Sequence, residues 1–278
     1  MVGNPVEENP IDLLFNRFFD REGTPYRLIK FRVESPEDLG TCVEGARKMG
    51  FAGMAFTVPY KMAAIPHCDE IAEPSQGIGA INFITFEGPE RRAVGKNTDG
   101  LAICSAIRQK MSIEGRRFLI LGAGGAARGI GAEIARQGAR SIAIAARNPS
   151  QGRDVAEALS RFGTSAFTTD SLHWNGPLSI PDGTEIVLNA TPVGDYPEER
   201  ELDLDWTSLA KATMAVDVIT GPRNTRFLKK AHSLNLLTVD GVDMLVDIVQ
   251  VGLAGFGVTV PREEIDAYAR ELTGPPIC

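Results

Sequence analysis

One run of six residues constrains this chain more than any other. Gly122-Ala123-Gly124-Gly125-Ala126-Ala127 fits the pattern G-x-G-x-x-A. With 29 glycines among 278 residues, such a pattern alone says little. Its surroundings give it meaning. Arg117-Phe118-Leu119-Ile120-Leu121 before it reads as a buried strand. The stretch after it carries Ile130, Ile134 and Ala135 at helical spacing, runs to Gln137, and is closed by Gly138. In a strand-loop-helix unit of this kind, Gly122 permits the tight turn and Gly124 lets backbone approach a pyrophosphate. Ala127 lets helix and strand pack closely. The helix start at Gly125 and Ala126 offers free N–H groups to phosphates. The plainer alternative is a βα turn that binds nothing.

The next strand bears on which dinucleotide is expected. An NAD site usually carries an acid about 20 residues beyond the loop, where it holds the ribose 2′-hydroxyl. Here Ser141-Ile142-Ala143-Ile144-Ala145 ends in Ala146-Arg147-Asn148-Pro149, and an arginine stands where the acid is usual. The Arg147 guanidinium suits a 2′-phosphate through charge-assisted bonds, with Arg153 or Arg128 assisting. NADP is favoured over NAD.

Around this unit the chain alternates strand and helix signals, which points to α/β layers. Ile11, Leu14, Phe15 and Phe18 mark a first helix, and Tyr26 to Val33 reads as a strand. Ser35, Pro36 and Asp38 open a second helix that Gly50 ends. Gly53 to Val58 and Ala80 to Phe86 read as strands, followed by a helix carrying Leu101, Ile103, Ala106 and Ile107. Later strands are expected at Glu185–Asn189, Met214–Val218 and Leu236–Val239, with helices only after Asp240. A length of 278 residues suits about two domains of roughly 150 residues each. The expected organisation is a substrate-binding α/β domain (1–101 plus 241–278) and a Rossmann, doubly wound NADP-binding domain (102–240).

Composition excludes several classes. Lys+Arg 29 against Asp+Glu 36 gives a formal charge of −7, which disfavours a nucleic-acid surface. Cys42, Cys68, Cys104 and Cys278 show no ligand spacing, so neither a zinc site nor a disulfide set is expected, and a reducing cytoplasm fits. No signal peptide is visible at the start. The uncharged stretch Ile248 to Val260 is shorter than the roughly 20 residues a membrane span needs.

Three segments of the first half carry polar side chains at strand or helix ends: Thr57-Val58-Pro59-Tyr60-Lys61, Gly79-Ala80-Ile81-Asn82 and Asn97-Thr98-Asp99-Gly100. In this order, ahead of a dinucleotide loop, they resemble the shikimate dehydrogenase family. The resemblance runs over nearly the whole chain. It includes Gly3-Asn4-Pro5, Asn189-Ala190-Thr191-Pro192-Val193-Gly194, Val216-Asp217-Val218 and Asp240-Gly241-Val242-Asp243-Met244-Leu245-Val246. It implies that Lys61 and Asp99 form the catalytic pair and that Thr57 and Asn82 hold ring hydroxyls. Asn9 and Thr220 fall at further substrate positions, and Asn189, Thr191 and Val218 at cofactor positions. It also implies hydride transfer between NADP(H) and a ring hydroxyl or ketone of shikimate or a related cyclic hydroxy acid, as in aromatic amino acid biosynthesis. The enzyme would be a monomer or homodimer with no metal.

Such a reaction needs a proton moved on or off the carbinol oxygen. His67, His173 and His232 lie outside the motifs. Lys61 either shuttles that proton, or orients and polarises the oxygen while Asp99 takes part. The alternatives are a quinate dehydrogenase using NAD(P) and a non-catalytic nucleotide-sensing protein on the same fold.

The chain also departs from the family. After Gly-Asn-Pro the family has two serines that bind the substrate carboxylate, whereas Val6-Glu7-Glu8-Asn9-Pro10 has none. Thr220 replaces a tyrosine. Ile248 replaces a glutamine, and Gln250 lies roughly 200° around the helix from it. The usual first strand is expected to be clipped or absent.

Overall fold

The computed structural model describes residues 1–7, 9–196 and 200–275. β1 (Val2–Gly3) leads to α1 (Ile11–Arg21), whose Ile11, Leu14, Phe15 and Phe18 are buried as their spacing dictates. β2 (Phe31–Arg32) pairs with β1 in parallel. α2 (Leu39–Lys48) is entered through a 3-10 turn at Pro36–Asp38, and Ser35 makes no side-chain cap to it. β3 (Gly53–Ala55), β4 (Glu70–Ile71), β5 (Phe83–Glu87) and β6 (Arg92–Lys96) form a mixed sheet in the order β3-β5-β6-β4. A bridge from Val2 to Phe56 joins the β1–β2 pair to its β3 side.

α3 (Asp99–Arg108) then leads into a second sheet. Its parts are β7 (Arg117–Leu121), α4 (Gly125–Arg136), β8 (Ser141–Ala146), α5 (Pro149–Leu159), β9 (Thr168–His173), β10 (Ile186–Asn189), β11 (Met214–Asp217), α6 (Arg226–Ser233) and β12 (Leu237–Val239). All six strands are parallel, in the order β12-β11-β10-β7-β8-β9. This is the doubly wound dinucleotide-binding order, whose ligand crevice lies where the strand order reverses, here between β7 and β10. β7 and β10 are buried along nearly their whole length, which explains their continuous apolar runs.

α7 (Gly241–Gly255) and α8 (Arg262–Thr273) end the described chain. Asp240 and Asp243 form a capping box that starts α7. Val242, Leu245, Val246 and Val249 of α7 share a core with Leu14, Phe15 and Phe18 of α1, so the C-terminal helices return to the first helix of the chain. α3 and α4 meet with almost no spacer: a Cβ on Gly100 would lie 2.4 Å from the Gly129 carbonyl oxygen. No helix among the described residues is long and apolar enough to cross a membrane.

The strands differ from expectation where local partners displace a ladder. The first strand is clipped, as expected, to Val2–Gly3, and Thr57 N donates to Val2 O at 3.0 Å. The strand expected over Tyr26 to Val33 shrinks to Phe31–Arg32, because the Asn16 side chain satisfies both backbone groups of Leu28, at 2.9 and 2.8 Å. β5 starts at Phe83 rather than Ala80, since Ile81 N is bonded to Lys61 O at 2.8 Å. β9 is an edge strand of sequence Thr-Thr-Asp-Ser-Leu-His, and its polar composition hides it from a hydrophobicity pattern.

Candidate active site

A cleft of about 570 Å³ opens between the C-terminal ends of the parallel strands and the N-terminal sheet. Gly122 leaves β7 with φ +106°, and a Cβ there would lie 2.9 Å from Thr191 Cγ2. Only glycine combines that dihedral with that contact. The chain then reaches the start of α4, where Gly124, Gly125 and Ala126 line the cleft. Gly122 and Ala127 do not line it; Ala127 is wholly buried beneath the loop. The open amides of the helix start and the free space beside Gly124, where a Cβ would meet nothing within 4 Å, form a cradle suited to a dinucleotide phosphate.

Across the switch point, Thr191 and Val218 line the cleft, whereas Asn189 stays buried below it. The Asn189 Oδ1 accepts from Thr191 N at 3.0 Å and Thr191 Oγ1 at 2.7 Å. Its Nδ2 donates to Val193 O at 3.2 Å and Asp217 Oδ1 at 3.0 Å. Asn189 therefore shapes the cofactor loop from beneath, a role that spacing alone does not separate from direct contact. Asp217 also accepts from Thr225 Oγ1 at 2.8 Å and Ile219 N at 3.2 Å, and burial pushes its carboxyl up to about 7. Val218 and Ile219 rest against the start of α7, where a Cβ on Gly241 would meet Ile219 O at 2.2 Å.

Arg147 follows β8 directly, is exposed, and lies outside the cleft lining. Next to it Asn148 caps α5, its Oδ1 accepting from Ser150 N at 3.0 Å. Arg153 is exposed one turn later. Neither arginine has an ion-pair partner among the described residues, so both stand open to an anion beside a helix N-terminus. Arg128 does not join them; its guanidinium packs beside Gly79, 3.3 Å from where a Cβ would sit.

The opposite wall carries the titratable groups. Lys61 Nζ donates to Asp99 Oδ2 at 2.5 Å, with side-chain exposures of 14 % and 2 %. Asn82 Nδ2 donates to Asp99 Oδ1 at 2.8 Å and to Thr98 Oγ1 at 2.9 Å, so both of its amide hydrogens are engaged. Asn97 Oδ1 accepts from Asp99 N at 3.1 Å. Both carboxylate oxygens of Asp99 are thus held, and Lys61 is fixed against them. Tyr60 anchors the lysine's loop: it is 1 % exposed and donates to Val33 O at 2.5 Å. Lys61 also touches the cofactor cradle, since a Cβ on Gly125 would lie 2.7 Å from Lys61 Cβ. That contact joins the two halves of the site, and its only trace in the sequence is the doubled glycine.

Thr57, Asn82, Asn9 and Thr220 all line the same cleft as Lys61 and Asp99. The Glu7 carboxylate is turned away: it accepts from Val6 N at 2.9 Å and faces Arg32 at 3.7 Å. Glu8 and Cys278 lie outside the described residues. Ile248 lines the cleft, while Gln250 donates to Val260 O at 3.1 Å and does not. Sequence reasoning missed Asp195, a lining carboxylate whose pKa burial raises. The available signal was its place immediately after Gly194, at the end of the Asn189 motif.

Known proteins place the chain further. A family model described as the shikimate dehydrogenase substrate binding domain matches residues 1–84. A shikimate dehydrogenase (NADP(+)) of Geobacillus kaustophilus is 35 % identical over 248 residues, 88 % of this chain and 87 % of that protein. The one from Methanocaldococcus jannaschii is 32 % identical over the same length, covering 88 % and 86 %. Among solved structures, a shikimate dehydrogenase in complex with NADP+ superposes with a TM-score of 0.85 at 30 % identity, covering 98 % of this chain and 94 % of that one. A ligand-free 5-ketofructose reductase of Gluconobacter gives 0.84 at 33 % identity, covering 98 % and 96 %.

Proposed function

The chain belongs to the shikimate dehydrogenase family, and from that premise we propose that it catalyses NADP(H)-dependent interconversion of a secondary hydroxyl and a ketone. Shikimate and related cyclic hydroxy acids are the parent substrate class. The observation that carries this reading is the Lys61–Asp99 pair at 2.5 Å in the cleft that the start of α4 also lines.

The amides at Gly124, Gly125 and Ala126 would hold the phosphates of NADP(H), and Arg147 with Arg153 its 2′-phosphate; the bound cofactor would supply or accept the hydride. The protein's own residues handle the proton and the geometry. Lys61 Nζ stands in the cleft as the donor to the substrate oxygen during reduction and the acceptor of its proton during oxidation. Asp99 keeps that ammonium placed, and Asn82 with Asn97 keeps Asp99 placed. Thr57, Asn9 and Thr220 offer neutral polar groups to the remaining hydroxyls. In this reading residues 1–101 with 241–278 bind substrate and 102–240 bind NADP. The protein acts on a small molecule in the cytoplasm, as a monomer or homodimer.

The test is spectrophotometric. Purified protein is mixed with NADP+ and a panel of cyclic hydroxy compounds, and NADPH formation is followed for the native protein and Lys61→Ala. Turnover that falls at least a hundredfold in Lys61→Ala, with NADPH binding retained, is the expected result. Unchanged turnover in that variant would refute the role of Lys61.

A further inference from the structure

The charge inventory of the cleft narrows the substrate. Among the described residues, its lining holds three basic groups, the Met1 amino group, Lys61 and Lys96, and two carboxylates, Asp99 and Asp195. Each basic group is already engaged. Lys61 is bonded to Asp99 at 2.5 Å and Lys96 to Glu87 at 2.9 Å. The Met1 amino group donates to Ile29 O at 2.6 Å, and burial lowers its pKa to about 6, which leaves it mostly uncharged at pH 7.

Lys30, close to the Asn9 end, does not line the cleft. It is bonded to Glu7 O at 2.7 Å and Asn9 O at 3.1 Å and paired with Asp12 at 3.1 Å. The residues outside the described set include no lysine, arginine or histidine.

The one lining charge without a counterion is therefore negative. Among the described residues Asp195 accepts only from Tyr196 N, at 3.0 Å, and Tyr196 N also donates to Gly221 O at 2.8 Å, which sets Asp195 close to Thr220. The remaining wall is apolar, with Ile11, Phe15, Phe83, Ile248 and Phe256. A carboxylate entering here would lose its hydration, find neither a free cation among the described residues nor a pair of serine hydroxyls at Val6-Glu7-Glu8-Asn9-Pro10, and meet Asp195 as a like charge. Hydroxyl groups, in contrast, find Asn9, Thr57 and Thr220.

We infer that the substrate taken by this cleft is neutral: a polyhydroxylated ketone, and the alcohol formed from it, carrying no carboxylate. The inference rests on the hydride-transfer reading and deepens it. Reduction adds a hydride from NADPH to the carbonyl carbon and a proton to its oxygen, giving the alcohol and NADP+.

The test compares an acid with its own uncharged derivative. Steady-state NADP+ reduction is measured with shikimate and with its methyl ester, NADPH oxidation is measured with neutral ketohexoses, and the Tm shift caused by acid and ester is recorded alongside. We expect kcat/KM for the ester to exceed that for the acid at least tenfold, with the larger Tm shift from the ester. Raising the salt concentration should narrow the gap, and Asp195→Asn should narrow it further. Equal or better turnover of the acid would overturn the neutral-substrate inference while leaving hydride transfer standing. No turnover of acid, ester or ketose by protein that binds NADPH would overturn both.

Discussion

Lys61→Met separates the pairing of Lys61 and Asp99 from their chemistry. The change keeps most of the side chain's apolar stem and removes the ammonium. Asp99, at 2 % exposure, retains the Asn82 amide at 2.8 Å and loses the only cation paired with it among the described residues. Removing one member of a buried pair typically costs about 3–5 kcal/mol. Lys61 is 14 % exposed and faces an open cleft, so water relieves part of that cost and about 2–3 kcal/mol is expected. Asp99→Asn leaves an ammonium that can turn to the cleft water, and costs about 1–2 kcal/mol. Because the two residues touch, the double variant should be more stable than the sum of the single losses predicts, by about 1–2 kcal/mol. Activity behaves otherwise: all three variants should lose turnover by roughly a hundredfold or more, since restoring charge balance does not restore the proton carrier. Urea unfolding followed by circular dichroism measures the first quantity and NADP+ reduction the second. Additive stability losses to within about 0.5 kcal/mol would refute the pairing as a stabilising unit, and recovered turnover in the double variant would refute Lys61 as the proton carrier.

Three further outcomes are expected. Arg147→Asp should weaken NADP+ binding by roughly tenfold or more and NAD+ binding little, because a charge-assisted contact to the 2′-phosphate is lost; fluorescence titration with both nucleotides decides, and equal effects would exclude Arg147 as the 2′-phosphate reader. Gly122→Ala should cost about 1–3 kcal/mol and impair nucleotide binding, since φ is +106° there and a Cβ would sit 2.9 Å from Thr191 Cγ2; native stability in that variant would contradict the loop geometry. Burial raises the Asp217 carboxyl from 3.8 to about 7, so the folded state holds more protons than the unfolded chain between those values and stability falls as pH rises through that window. Unfolding of Asp217→Asn across the window should show a flatter profile than the native protein, and an identical slope would rule the group out.

The nucleotide half is readable in the sequence because its constraints are local. Gly122 is needed for one dihedral, Gly124 and Gly125 for one approach, and β7 and β10 are apolar because helices cover both faces of the sheet. The strand order that sets the crevice follows from alternating strands and helices linked by right-handed crossovers. Even here a limit shows. Asn189 and Thr191 are two residues apart in one motif, yet one supports the loop and the other faces the cleft, a distinction that depends on Asp217 from the neighbouring strand. Similarly, Leu28 leaves the expected strand because Asn16, on a helix, satisfies its backbone.

The substrate half is harder to read because recognition there depends on which charges remain after long-range pairing. Lys61 and Asp99 are 38 residues apart, and neither sequence position states that each consumes the other's charge. Glu7 stands in the segment after Gly3-Asn4-Pro5, but its carboxylate accepts from Val6 N and faces Arg32. Asp195, which no pattern in the sequence singles out, lines the cleft with no cation paired to it among the described residues. Among the described residues the unpaired negative charge of the cleft thus comes from the cofactor side, across the switch point, and not from Glu7. Restoring serines to the Glu7 segment would therefore not by itself recover an acid-binding site, because Asp195 would still face the incoming carboxylate. A variant carrying both Asn9→Ser and Asp195→Asn should gain more in kcat/KM for shikimate than Asn9→Ser alone. Equal gains in the two variants, measured by NADP+ reduction at low salt, would show that the loop, and not Asp195, sets the preference.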